Sequence, residues 1–248
     1  MTNKTIAAVL LSLVPLLAGA AGGESVPLQA AHNDLADKAS LQRGARLFVN
    51  YCLSCHPAAF MRYKRMGDDL GLTDEQVKDN LMFASEKVGE TMKVAMRPGD
   101  AGEWFGVAPP DLTLVARSRG PDWVYSYLLS FYDDPSRPWG VNNLVFPQVG
   151  MPNVLWDLQG RQAPIYTETA HADGSTGHSI ERLELVREGK LSEAEFRQAA
   201  RDLVNFLDYM GEPIRLERQH LGVWVLLFLV LFMGLAYALK KEYWKDVH

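Results

Sequence analysis

Residues 52–56 of this chain read Cys52-Leu53-Ser54-Cys55-His56: two cysteines three positions apart, followed directly by a histidine. This spacing is typical of the attachment of a c-type haem. The two sulfur atoms form thioethers with the haem vinyl groups, and the adjacent imidazole lies below the same porphyrin, where it can ligate the iron. The motif therefore predicts one covalent haem c, with His56 as an iron ligand.

Three other interpretations of this motif are weaker. The chain has 2 cysteines, both within the motif, so a disulfide framework would require the pair to bond to itself. The pair could be half of a tetrahedral zinc site, but no second cysteine pair exists, so the remaining ligands would have to come from the scattered His32, His171, His178 and His220. A thioredoxin-like redox pair expects a strand-to-helix context that residues 40–56 do not suggest.

The N-terminal residues have the pattern of a secretory signal peptide. Lys4 is the only charge before Glu24, residues 6–17 are apolar, and Ala18-Gly19-Ala20 provides the small residues of a cleavage site. We therefore predict that residues 1–21 are a signal peptide. Because residues 1–23 contain no arginine, a mitochondrial presequence is disfavoured. Covalent haem on an exported chain indicates the bacterial periplasm.

A second apolar stretch, residues 221–239, contains no charged residue and is long enough to cross about 30 Å of hydrocarbon as a helix. Lys240, Lys241 and Lys245 follow it, so the positive-inside rule places the C-terminus in the cytoplasm. We predict a periplasmic haem domain at 22–212 and a membrane anchor at 213–248, in a single-pass protein of the bacterial inner membrane. The alternative is a buried core helix.

The predicted exported part of the chain is acidic. Residues 22–220 carry 21 Lys+Arg and 28 Asp+Glu, a net charge of about −7. This balance argues against nucleic acid and favours a basic partner. Acidity that serves solubility alone remains the alternative.

The pattern of caps and apolar positions predicts a mainly α domain with long loops. We expect Ser40 to cap a helix that runs into the haem motif. Capping boxes open helices at Thr73 and Ser192. The predicted helices run from Ser40 to Tyr51, from Thr73 to about Phe83, from Trp123 to Tyr132, from Ser192 to before Gly211, and onward from Pro213. Residues 133–164, with five prolines, are predicted as loop that forms a structured wrap, and residues 165–171 and 178–186 as a small β-hairpin.

An electron-transfer haem needs a second axial ligand, and methionine raises the reduction potential because a thioether favours Fe(II). The chain has 9 methionines, most of which would serve as ordinary core residues. Met151 is the best candidate, because Gly150 and Pro152 can fix a loop that aims its side chain at a flat cofactor. Met96, in Met96-Arg97-Pro98-Gly99, has a similar setting and is the alternative.

The chain resembles the cytochrome c1 family, the haem subunit of ubiquinol:cytochrome c oxidoreductase (the bc1 complex), in its proteobacterial form. The resemblance runs from about residue 40 to the C-terminus in matching order. It rests on Arg43-Gly44 before the CxxCH motif, Met96-Arg97-Pro98-Gly99, Pro109-Pro110-Asp111-Leu112-Thr113 with Arg119, Tyr125-Ser126-Tyr127-Leu128-Leu129, Phe146-Pro147 with Gly150-Met151-Pro152, and the single C-terminal anchor.

The resemblance implies roles for particular residues. Met151 matches the distal iron ligand, and Met96 lies in a segment that does not ligate iron. Pro110 matches a proline whose carbonyl accepts a hydrogen bond from the proximal imidazole. Arg119 matches a residue that pairs with a haem propionate. The alternative is that Arg119 is an ordinary surface arginine with no contact to the haem.

The same resemblance implies a class I cytochrome c-like haem domain in a respiratory chain. Such a chain is a non-catalytic electron-transport subunit of an oxidoreductase complex, accepting electrons from the Rieske iron-sulfur protein beside cytochrome b and passing them to cytochrome c. Two alternatives are a free-standing membrane-anchored cytochrome c that feeds an oxidase or reductase, and a haem sensor with an open sixth position.

Overall fold

The computed structural model of the chain describes residues 26–94, 96–170 and 176–246. The predicted signal peptide and the turn of the predicted hairpin at residues 171–175 lie outside the described residues. Within them the fold is mainly α. Its helices are α1 (Lys38–Leu47), α2 (Tyr63–Leu70), α3 (Asp74–Leu81), α4 (Pro98–Phe105), α5 (Val115–Arg119), α6 (Pro121–Leu129), α7 (Trp156–Gln159), α8 (Glu193–Gly211) and α9 (Arg215–Tyr243).

Three small antiparallel sheets join the helices, each made of two strands. They pair β1 (Ala58–Arg62) with β2 (Thr91–Met92), β3 (Phe131–Asp133) with β4 (Val141–Asn143), and β5 (Gly160–Ala170) with β6 (Thr176–Glu188). The predicted fold class is thus confirmed. It is a helical haem-type domain with small sheets and one apolar C-terminal helix.

The core forms around α8, which packs against α1, α5 and α6. Phe48 and Phe206 meet in its centre with ring centroids 5.7 Å apart, and both are fully buried. At the crossing of α1 and α8, a Cβ added to Gly44 would overlap the carbonyl oxygen of Asp202. The absence of a side chain at Gly44 therefore lets the two helices approach closely.

The start of α1 differs from the prediction that Ser40 caps it. Asp37 is the cap, because its carboxylate accepts a hydrogen bond of 3.0 Å from the Ser40 backbone N–H. The Ser40 hydroxyl instead donates to Asp202 Oδ1 at 2.7 Å. Asp202 also accepts two hydrogen bonds from the Arg43 guanidinium, at 2.6 and 2.9 Å, so its buried carboxylate is well paired.

Both predicted capping boxes are present. Thr73 and Gln76 exchange hydrogen bonds at the start of α3, and Ser192 and Glu195 do so at the start of α8. Two helix ends were placed wrongly, since α3 ends at Leu81 and α6 runs from Pro121 to Leu129. Beyond Leu129 the chain turns into β3, whose backbone pairs with β4.

Residues 133–164, predicted as a structured loop, contain more regular secondary structure than predicted. This region contributes β4, α7 and the first residues of β5, and the β5–β6 hairpin is longer than predicted. Gly160 has a φ of +92°, and a side chain there would meet the carbonyl of Arg187 on the opposite strand. Register shifts after Arg161 and Ile165 further break the alternation by which a strand is recognised in sequence.

Helix α9 is 29 residues long, and none of its residues is buried against the rest of the chain. Its length and composition suit a membrane span. The alternative of a core helix does not hold, because the apolar side chains of α9 are exposed over its whole length.

Candidate haem-binding site

The CxxCH motif begins where α1 loosens into a π-helical turn, Phe48–Cys52. Such wide turns are rare and often lie at functional sites. After it, the backbone N–H groups of Cys55 and His56 both donate to the carbonyl of Cys52, at 3.0 and 2.8 Å. Cys52 is buried, whereas Cys55 is partly open, so the motif presents Cys55 and His56 on its outer side.

The His56 imidazole is oriented by Pro110, because its Nδ1 lies 2.8 Å from the Pro110 carbonyl oxygen. The segment that carries the Pro110 carbonyl is itself held beside the haem motif, because the Leu112 N–H donates a hydrogen bond of 2.9 Å to the Pro57 carbonyl. Burial lowers the pKa of His56, although Pro110 and nearby Asp111 oppose this shift. The imidazole is therefore held neutral with Nδ1 as its donor, which leaves the lone pair of Nε2 free for a metal.

Met151 lies on the same cleft as His56. The cleft encloses about 620 Å³ of empty space, including the part open to solvent. Its walls are mostly apolar and come from the haem motif, the end of α4, the proline segment and the methionine loop. They are formed by Tyr51, Cys55, His56, Phe105, Val107, Pro109, Pro110, Gly150, Met151, Pro152 and Val154.

The loop that carries Met151 is held by contacts of the residues just before the methionine. The Gln148 N–H donates a hydrogen bond to Asn142 Oδ1 at 2.8 Å. The Gln148 carbonyl accepts a hydrogen bond of 2.9 Å from the Arg137 guanidinium. Gln148 has a φ of +62°, a conformation that non-glycine residues adopt only where surrounding contacts impose it. Gly150 then lies against Val107, with 3.4 Å between the Val107 methyl and the place where a Cβ would stand.

The structure separates Met151 from the alternative, Met96. Within the described residues, Met151 is the only methionine that lines this cleft. Five others, Met61, Met66, Met82, Met92 and Met210, are buried in the hydrophobic core. Met96 is half-buried before α4, away from the cleft wall.

Arg119 is not on the cleft wall. Its guanidinium lies over the Trp123 ring, 5.1 Å from the centroid, and it forms no ion pair with any residue that the structure describes. Its charge is thus available to an anionic group, as the resemblance implies, while cation–π contact holds it in place.

Two features of the site were missed by sequence reasoning. The Tyr127 hydroxyl donates a hydrogen bond of 3.4 Å to Met151 Sδ. Trp139 packs on Phe105, with centroids 5.4 Å apart, and so buttresses the cleft wall. The role of Tyr127 had one signal in the sequence. Trp123 and Tyr127 are four residues apart, which stacks their rings on one face of α6.

Residues 30–247 match the model of the Cytochrome C1 family. The chain belongs to that family. This cytochrome c1 chain is therefore an electron-transfer haem subunit.

Two relatives match almost the whole chain, and a third matches most of it. The chain is 53% identical to cytochrome c1 of Allochromatium vinosum, over 99% of this chain and 100% of the relative. It is 45% identical to a Nitrosomonas europaea protein named ammonia monooxygenase gamma subunit, over 95% of each. It is 27% identical to cytochrome c1 of Rhodospirillum rubrum, over 85% of this chain and 83% of the relative.

The residues of the cytochrome c1 cleft fit a c-type haem. A cysteine and an oriented, neutral histidine lie on its wall together with a methionine on an independent loop, and the surroundings are apolar. This donor set, one imidazole and one thioether, is that of an electron-transfer haem. The assignment of Cys52, Cys55, His56, Met151, Pro110 and Arg119 to haem contacts remains a prediction.

Proposed function

We propose that the chain accepts one electron from a Rieske iron-sulfur protein and passes it to a periplasmic cytochrome c, within a ubiquinol:cytochrome c oxidoreductase that also contains cytochrome b. The observation that carries the proposal is that His56 and Met151, distant in sequence, line one apolar cleft beside Cys55. Membership of the cytochrome c1 family supports it.

The chain would hold one haem c. Cys52 and Cys55 would form the thioethers, His56 Nε2 and Met151 Sδ would ligate the iron, and Arg119 would pair with a propionate. When bound, this cofactor supplies reversible one-electron chemistry at its iron. Burial keeps the imidazole neutral and the Pro110 carbonyl keeps it correctly turned, so that its metal-binding nitrogen needs no proton loss.

The site is built to move an electron and not to transform a substrate. His56 and Met151 would both be committed to holding the haem, and the apolar side chains of Phe105, Val107 and Val154 line the space that it would fill. The haem-sensor alternative requires a displaceable ligand, whereas the loop of Met151 is fixed by Asn142 and Arg137.

The acceptor would dock where the cleft reaches the surface. Val107 and Trp139 are exposed there, at 59% and 44%. With a net charge of about −7 over residues 22–220, the domain would attract a basic cytochrome and speed its encounter. The outer edge of the cleft is thus the proposed exit for the electron.

We further propose that residues 22–212 lie in the periplasm and that residues 213–248 anchor them in the inner membrane, with the C-terminus in the cytoplasm. Three ion pairs brace the junction. Glu212 binds Arg117 of α5 and Arg218 of α9, and Asp208 binds Arg215. The hydrogen bond from Arg218 lowers the pKa of Glu212, so this carboxylate stays charged at neutral pH.

A different assembly is the main competing function. One relative is named a subunit of ammonia monooxygenase, and a free-standing anchored cytochrome would feed an oxidase or reductase. The same haem chemistry would serve a bc1 complex, a monooxygenase and a free-standing cytochrome, so the cleft does not distinguish these three functions. The proteins that bind the chain distinguish them.

The test is purification of the full chain from membranes in mild detergent. Cytochrome b and a Rieske protein should co-purify, and added quinol should reduce the haem only in preparations that retain the Rieske protein. Co-purification with a monooxygenase or an oxidase in place of both would overturn the assignment. As a control, the chain truncated after His220 should lose cytochrome b while keeping its haem.

A further inference from the structure

The hydroxyl of Tyr127 is bonded to the sulfur atom of Met151, at 3.4 Å. On the basis of the proposed function, we propose that Tyr127 is a positioning residue for the distal ligand. Its hydrogen bond holds the Met151 thioether in the orientation that the iron requires and raises the reduction potential of the site.

The Tyr127 ring has little freedom to move. It stacks on Trp123, with centroids 5.2 Å apart and an angle of 9° between the planes. Phe131 contacts it edge-on at 5.1 Å and 72°. Two aromatic neighbours in these geometries fix both the tilt and the height of a ring. The Tyr127 hydroxyl group is therefore held in one position.

The Tyr127 backbone and the methionine loop are tied together by Asn143. The Asn143 side chain donates to the Tyr127 carbonyl at 2.8 Å. Its Oδ1 accepts the backbone N–H groups of Val145 and Phe146, at 2.9 and 3.1 Å. Asn143 is fully buried, so these bonds are protected from water. Donor and acceptor thus belong to one braced unit, although they come from different elements.

The hydrogen bond to Met151 also gives the buried Tyr127 hydroxyl its acceptor. Burial raises the pKa of Tyr127, so its proton stays in place. Among the described residues, the buried hydroxyls of Tyr63 and Tyr125 form no hydrogen bond of good geometry, whereas that of Tyr127 bonds the sulfur. A thioether sulfur has two lone pairs, so it can give one to a metal and accept a hydrogen bond with the other.

The hydrogen bond changes what the sulfur does. A donor at one lone pair withdraws electron density from the other, which disfavours Fe(III) relative to Fe(II). Hydrogen bonding around ligating sulfur is a recognised means of tuning potential. The bond also opposes rotation of the side chain away from the iron, and so protects the distal position from competing ligands.

The experiment compares Tyr127→Phe with the parent in the full-length, haem-loaded chain. Phenylalanine keeps the ring contacts with Trp123 and Phe131 and removes only the donor. Tyr125→Phe is the matched control, because its buried hydroxyl lies on the same helix and has no described acceptor. Covalent haem content, reduction potential and displacement of methionine by added imidazole are measured in each.

We expect Tyr127→Phe to retain haem and the Met-to-Fe(III) charge-transfer band, but to have a lower potential. Imidazole should displace the methionine at roughly two- to tenfold lower concentration, the effect of losing one hydrogen bond. Tyr125→Phe should match the parent in all three measurements.

Unchanged potential and imidazole affinity in Tyr127→Phe, with the band present, would overturn the role of Tyr127 and leave the proposed function intact. An equal shift in Tyr125→Phe would overturn it too, since the effect would then be one of general packing. If Met151→Leu keeps the band, the ligand assignment itself fails, and the role of Tyr127 fails with it.

Discussion

Gly44 packs directly against the backbone carbonyl of Asp202, where α1 crosses α8. This contact sets the distance between the helix that leads into the haem motif and the helix at the centre of the core. Arg43 and Ser40 both bind the Asp202 carboxylate. The position of the CxxCH motif therefore depends on a crossing that tolerates no side chain at residue 44.

Gly44→Ala should destabilise the protein, because the added methyl overlaps the Asp202 carbonyl. Overpacking of this kind costs about 1 to 3 kcal/mol, which exceeds the gain in helix propensity of roughly 1 kcal/mol. Gly102→Ala is the control, since no atom lies within 4 Å of a Cβ added there. The thermal midpoint of the helical circular dichroism signal measures both. Equal midpoints for the two variants would contradict the close crossing.

Cys52→Ala or Cys55→Ala should reduce or abolish covalent haem, because both thioethers are expected to come from this pair. Haem staining of denaturing gels measures the attachment. Ser54→Ala, which changes the motif without removing a thiol, should stain like the parent. An undiminished band in the double cysteine variant would refute the attachment.

Met151→Leu should remove the distal ligand, lower the potential and open the iron to carbon monoxide, because leucine offers no lone pair. Met96→Leu should leave the spectrum unchanged and cost under about 1.5 kcal/mol of stability, since it conserves volume and hydrophobicity. The Met-to-Fe(III) charge-transfer band decides between them. Loss of the band in Met96→Leu together with its retention in Met151→Leu would reverse the assignment.

A chain that ends after His220 should be a soluble periplasmic haem protein, because residues 221–239 supply the apolar span. It should also fail to sustain the complex. Fractionation of cells that lack the other subunits gives the measurement. Truncated chain in the membrane fraction would show that the haem domain has a second means of attachment.

Much of the fold followed from local patterns. The capping boxes at Thr73 and Ser192 are short-range arrangements of side chain and backbone, so residues three apart were enough to predict them. The span of α9 followed from composition alone. The start of α1 did not, because the Ser40 hydroxyl is bound by Asp202, 162 positions along the chain, and Asp37 takes its place as the cap.

The β5–β6 hairpin shows a second limit. Its early residues lie among prolines and glycines, which favour loop, yet they pair because the opposite strand supplies the hydrogen bonds. The tight contact of Gly160 with Arg187 and the register shifts are properties of two strands together. A pattern read along one strand does not contain them.

The sequence by itself determined the family and predicted the covalent haem attachment and the membrane span, because CxxCH and an uncharged stretch act through residues that are neighbours in the chain. Tertiary structure alone decided which methionine shares a cleft with His56, and that Tyr127 bonds its sulfur. Met96 and Met151 both lie in loops beside glycine and proline. They differ in where packing places those loops, and packing is a property of contacts between distant residues.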